Sequence, residues 1–174
     1  MEILAEILKF TIPSVLSLLV ALWAIDRFLK NEDHRRNYEI RKATVAQIMP
    51  IRLAAYERLV LFLERSAPDS LVLRVQSPEM NNLQLQQSLL AAIRQEYEHN
   101  FSQQLYVSEQ ASAIVKTAKE SLIQLINLAA SKVESTGNST QLAMLLLETY
   151  ASAENQPLKV AIDLLKVELR GYFG

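Results

Sequence analysis

The sequence predicts an all-α fold, and three observations predict it. Leu, Ala, Glu and Gln recur throughout the 174 residues, against only three glycines and five prolines, which is the composition of helix rather than of turn-rich sheet. Apolar residues return at three- and four-residue steps, most clearly through Ala111, Val115, Ala118, Leu122, Leu125, Ala129 and Val133. The one strand-like segment, Leu71 to Val75, finds no convincing strand partner elsewhere and is expected to be a short helix or an extended connector. The length suits one domain plus an N-terminal element, and the part after residue 43 is long enough to bury its own core.

The N-terminal element carries sixteen residues without a charge, Phe10 to Ile25. A helix extended back to Ile3 is about 34 Å long at roughly 1.5 Å per residue, enough for a bilayer core. Glu6 and Lys9 fall in its first turns, Pro13 lies inside it, and Trp23 sits near its far end, where an indole favours a membrane interface. A secretory signal peptide needs a basic start and a small-residue cleavage site, and neither is present. The competing reading is a helix buried in the folded domain, because the uncharged run is short for a span. Residues 1–29 are therefore expected to be a single transmembrane anchor. Arg27, Lys30, Arg35, Arg36, Arg41 and Lys42 follow it and Lys9 alone precedes it, which places the N-terminus outside and the C-terminal domain in the cytoplasm.

Residues 30–48 are expected to continue as a charged juxtamembrane helical stalk, since residues 26–43 carry both signs of charge and neither Pro nor Gly. Its basic residues could hold anionic headgroups, but Asp26, Glu32, Asp33 and Glu39 dilute them, which favours a solvated helix.

Residues 49–174 are expected to form a cytoplasmic antiparallel bundle of four or five helices. Pro50 suits the first turn of a new helix. The run Leu59 to Leu63 is apolar on every side, which predicts a helix packed around most of its girth, ending at Pro68. Ser77-Pro78 reads as a cap and first turn for a helix over 80–99, with Leu85, Leu89, Ile93 and Tyr97 on one face and Asn100 as its end. Ser108 caps the next helix, residues 134–140 are the clearest loop, and two helices follow over 141–154 and 157–170, the last opened by Pro157.

Composition excludes several chemistries. With no cysteine there is no disulfide, thiolate nucleophile or cysteine-held metal. A net charge of −1 offers no global basic field for nucleic acid. Three glycines, at 137, 171 and 174, make no phosphate loop. The most tempting constellation is Glu96 and His99, three apart on one helix face and able to share a metal ion. A carboxylate-bridged di-metal bundle needs two such pairs and two more glutamates. The other histidine, His34, has Asn31 where its partner carboxylate should be, so the simpler reading is a helix end at which His99 meets the dipole favourably. Arg65, Arg74 and Arg94 could contact an acidic partner, although scattered arginines usually form surface ion pairs of small value. No catalytic, cofactor-binding or metal residue is assigned, and no cofactor is expected.

At AYERLVLFLERSAPDSLVLRV, residues 55–75, and IRQEYEHNFSQQLYVS, residues 93–108, the chain resembles an uncharacterised family of small single-pass membrane-anchored helical proteins from Bacteroidetes. The resemblance implies a bacterial inner-membrane protein of unknown role and supplies no functional residues.

The expected function is a non-enzymatic, membrane-tethered helical interaction module, a scaffold or accessory subunit of a larger inner-membrane assembly. Its partners would be the lipid bilayer and another protein or a second copy, associating through the stalk or the 111–133 stripe, with no nucleic acid. The alternatives are a metal-binding or enzymatic bundle using Glu96 and His99, and anionic-lipid or nucleic-acid binding through the basic stalk at Arg35 and Arg36.

Overall fold

A computed structural model describes the backbone of residues 2–172 and the side chains of residues 15–172. The fold is all-helical: α1 (Glu2–Ser66), α2 (Pro68–Val75), α3 (Asn82–Asn100), a 3-10 helix (Phe101–Leu105), α4 (Glu109–Ala130), α5 (Ser139–Ala151) and α6 (Pro157–Gly171). Leu71 to Val75 is helical, and the described residues contain no strand beyond an isolated antiparallel bridge between Asn81 and Asn138. The chain divides into two compact units, Met1–Met49 and Pro50–Gly174.

In the first unit every described side chain from Val15 to Ile48 is exposed. Its charges are paired along the helix, Lys30 with Asp26 at 2.7 Å, Arg35 with Glu32 at 2.8 Å and Arg36 with Asp33 at 3.2 Å, the one-turn spacing at which helical side chains meet.

The transmembrane anchor expected over residues 1–29 is corrected here. No helix among the described residues is long and apolar enough to cross a membrane. From Val15 the uncharged stretch is eleven residues, ending at Asp26; that is about 17 Å of helix, against roughly 30 Å of hydrocarbon. The side chains of residues 1–14, on which the rest of that expectation falls, lie outside the described ones. The single-pass inner-membrane localisation, with its outside N-terminus and cytoplasmic domain, is overturned by the same finding.

Pro50 is a second correction. It lies inside α1 and opens nothing. Losing one amide donor costs the helix about 3 kcal/mol, and the turns beyond it offset this by burying Ala55, Tyr56, Leu59, Phe62 and Leu63. Leu61 stays 46% exposed, so the run Leu59 to Leu63 is covered on one broad side rather than all round.

The second unit is built around α4, which packs against α3, α5 and α6. Ala111, Val115, Ala118, Leu122, Ile126 and Ala129 are its buried residues, so the face runs through Ile126 where alternate spacing pointed to Leu125. Being core, this stripe is not a free surface for self-association. Leu85, Leu89 and Ile93 of α3, Leu142 and Leu146 of α5, and Leu158, Ala161 and Leu165 of α6 close the core.

Local chemistry sets the helix starts. Asn81, not Ser77, caps α3: its side chain accepts from the Gln84 amide at 2.8 Å and the Gln84 side chain accepts from the Asn81 amide at 3.0 Å, a reciprocal capping box that satisfies two otherwise orphaned donors. Ser77 instead opens a turn, its carbonyl accepting from the Met80 amide at 3.1 Å. Ser108 caps α4 as expected, accepting from the Ala111 amide at 2.9 Å. Asn82 is buried and ties the 134–138 loop down, donating to the Glu134 carbonyl at 2.8 Å and accepting from the Leu142 amide at 3.2 Å. Ser66, by contrast, buries a hydroxyl with no hydrogen-bond partner.

Leu122→Ala should destabilise the fold by about 2–5 kcal/mol in urea unfolding, through lost burial and the cavity left behind, while the same change at Leu73, 87% exposed, should move it little. Ser66→Ala should leave stability unchanged or raise it by roughly 1 kcal/mol, because it removes an unsatisfied buried hydroxyl. A loss there would mean that the hydroxyl has a partner.

Candidate functional site

Glu96 and His99, one turn apart on α3, come together with residues far from them in sequence. They line a cleft of about 270 Å³ with Arg65, Arg74, Ala92 and Gln95. Arg65 lies in the last turn of α1, Arg74 in the last turn of α2 and His99 in the last turn of α3, so three helices deliver a basic side chain to one place. Each also suits the negative end of its own helix dipole. Arg94 stands apart; its positive charge acts on Glu120, whose carboxyl is held below the usual range chiefly by the hydrogen bond from Lys119.

The electrostatics of the cleft do not favour a cation beside Glu96. The Arg65 Nε lies 3.3 Å from a Glu96 carboxylate oxygen, so the one acidic ligand is already engaged by a cation, and Arg74 adds a second. A divalent ion would meet two guanidinium groups for one carboxylate. Among the described residues no three His, Cys, Asp or Glu side chains gather as a metal site. His34 lies on α1 within the first unit.

A second polar cluster was invisible in the sequence because its bonded partners are 52 to 120 positions apart. The Tyr56 hydroxyl donates to Glu168 at 2.7 Å and accepts from the Ser108 amide at 3.4 Å. Arg52 donates to the Tyr172 hydroxyl at 2.6 Å and the Tyr106 carbonyl at 3.0 Å, with its guanidinium 4.2 Å from the Tyr172 ring centre. These contacts clasp the end of α6 to residues 52–56. Burial, then the hydrogen bond with Glu168, push the Tyr56 phenol up to about 12.

Two further concavities flank α6. One, of about 580 Å³, includes Leu63, Asp69, Tyr150 and Lys159; burial, and then the charge of Asp69, raise the Tyr150 phenol. The other, of about 450 Å³, is an apolar groove between α4 and α6 with Ile114, Val160 and Leu164 in its wall. A further one, about 600 Å³ beside Trp23, Arg27 and His34, is lined by α1 alone; with no second wall it is helix surface.

Fold and cleft together define a small all-helical protein with a basic cleft at three helix ends. The chain belongs to a family of unknown function, DUF7935, whose sequence model matches residues 2–172. No curated protein and no solved structure matches the chain. The match supports the uncharacterised family implied by residues 55–75 and 93–108, and says nothing of membrane anchoring or of source.

The raised Tyr56 phenol makes a pH prediction. Its folded value lies above the ordinary 10.0, so the unfolded chain loses this proton first; the contribution is present below about pH 10 and is lost as pH rises through about 12. In urea unfolding between about pH 9 and pH 11.5, Tyr56→Phe should lose less stability with rising pH than the natural protein. Equal slopes would sink the assignment.

Proposed function

We propose that the protein is a non-enzymatic helical interaction module, a scaffold or accessory subunit that binds another protein through the apolar stretch of α1. The observation that carries this reading is the exposure of that stretch. Val15, Leu16, Leu18, Leu19, Val20, Leu22, Trp23 and Ile25 are each 54–63% exposed. Side chains so distributed surround the helix, and a helix apolar all round belongs inside something. Each leaves on the order of 1 kcal/mol of burial unrealised, and contiguous apolar surface of this kind marks an interaction site.

The adjoining charged segment supports the same reading by needing nothing. Arg35 and Arg36, on which lipid or nucleic-acid binding would rest, each already have a carboxylate one turn away. Exposed pairs of this kind contribute about 0–1 kcal/mol to stability, and the neighbouring carboxylates dilute the positive charge that Arg35 and Arg36 would offer an anion. The apolar stretch is the part whose large side chains stay exposed. The finer reading, an origin in Bacteroidetes, rests on the resemblance of residues 55–75 and 93–108 alone.

The test is purification of the full chain through a C-terminal tag under native conditions, with co-purifying proteins identified by mass spectrometry and the particle mass measured by light scattering. A stoichiometric partner, lost on Leu18→Glu/Leu22→Glu while thermal unfolding of the bundle is unchanged, is the expected result. A chain that purifies alone as a monomer, or a partner retained by the double variant, would refute the proposal.

A further inference from the structure

The geometry points to the Arg65–Arg74–His99 cleft as a binding site for a small oxyanion of the phosphate class. The cleft lies wholly within residues 65–99 and owes nothing to the apolar stretch of α1.

Charge comes first. Two arginines and one glutamate leave the cleft positive by one with His99 neutral. Glu96 offsets Arg65 through the Nε edge of its guanidinium; a guanidinium has five N–H donors, so the two terminal nitrogens stay available. Arg74 and His99 have no ion-pair or hydrogen-bond partner among the described residues. The donors that remain are the fork of Arg65, the fork of Arg74, the Gln95 amide and a ring N–H of His99. Acceptors are scarce, since Glu96 is committed to Arg65. A set of donors reaching one space from three helices matches an ion whose oxygens are all acceptors.

Size comes second. The volume, about 270 Å³, falls below the roughly 300–1,000 Å³ of pockets that enclose an organic ligand. It suits a tetrahedral oxyanion held by two guanidinium forks, either free or as the terminal group of a larger molecule left in solvent. Arg65 and Arg74 are exposed at the rim while Glu96 is partly buried, so the cations meet the ligand first. Glu96 acts as a positioning residue, fixing the Arg65 side chain at the cost of some affinity for an anion.

The experiment titrates the full chain with inorganic phosphate and, separately, with phenyl phosphate, at ionic strength held constant with sodium chloride. Backbone amide shifts of residues 92–99 and calorimetry are the readouts. Saturable binding confined to the cleft is expected, weakened about tenfold or more by Arg74→Gln, the loss of one charge-assisted pair. Glu96→Gln should bind several-fold tighter, because it removes the competing carboxylate; a residue that serves only as a helix-end counter-charge predicts no such gain. Tighter binding of phenyl phosphate than of phosphate identifies a phosphomonoester as the ligand, and equal binding identifies the free ion. Arg65→Gln serves as the second variant if Arg74→Gln alters the unfolding curve. Non-saturable shifts, or affinities unchanged in both arginine variants, would overturn the proposal.

Discussion

The buried stripe of α4 is the constraint on which residues 50–172 depend. Its buried face mixes small residues, Ala111, Ala118 and Ala129, with the larger Val115, Leu122 and Ile126. Three helices, α3, α5 and α6, pack on this one element. α3 and α5 also pack on each other and on α2, and the close packing of protein interiors makes the arrangement sensitive to the volume of each side chain in the stripe.

Polar contacts then finish what burial begins. Asn82 ties the start of α3 to the 134–138 loop, its side chain donating to the Glu134 carbonyl and its backbone amide to the Gly137 carbonyl, and its side-chain oxygen accepts from the Leu142 amide in the first turn of α5. The Tyr56–Glu168 and Arg52–Tyr172 contacts hold the end of α6, which contributes only Leu158, Ala161 and Leu165 to the buried core. A helix with so narrow a buried face gains from a polar clasp at its free end. Each of these bonds adds modestly to stability, about 0.5–1.5 kcal/mol, yet leaving a buried member unpaired costs more.

The basic cleft is a by-product of the same packing. Helix ends attract basic residues because of the dipole, and the folding of α1, α2 and α3 brings three such ends to one spot. Glu96 and His99 looked like half of a metal site as long as only the local spacing was in view. With Arg65 and Arg74 beside them the sign of the field reverses, and a pair suited to a cation becomes part of a pocket suited to an anion.

What the sequence determined by itself was local. Periodicity and composition specify helices, and the ends of α3 at Asn100, α4 at Ser108 and α6 at Pro157 are legible because caps and prolines act within a turn of the chain. Non-local features were decided by tertiary structure: Ile126 rather than Leu125 at the core, Pro50 carried inside a helix, Arg65 and Arg74 set against Glu96. A one-residue step turns a helix by about 100° and is settled by the neighbour that covers it. The unbroken α1 follows from burial beyond Pro50, and the sign of the cleft from side chains up to 34 positions apart in sequence, which no local pattern records.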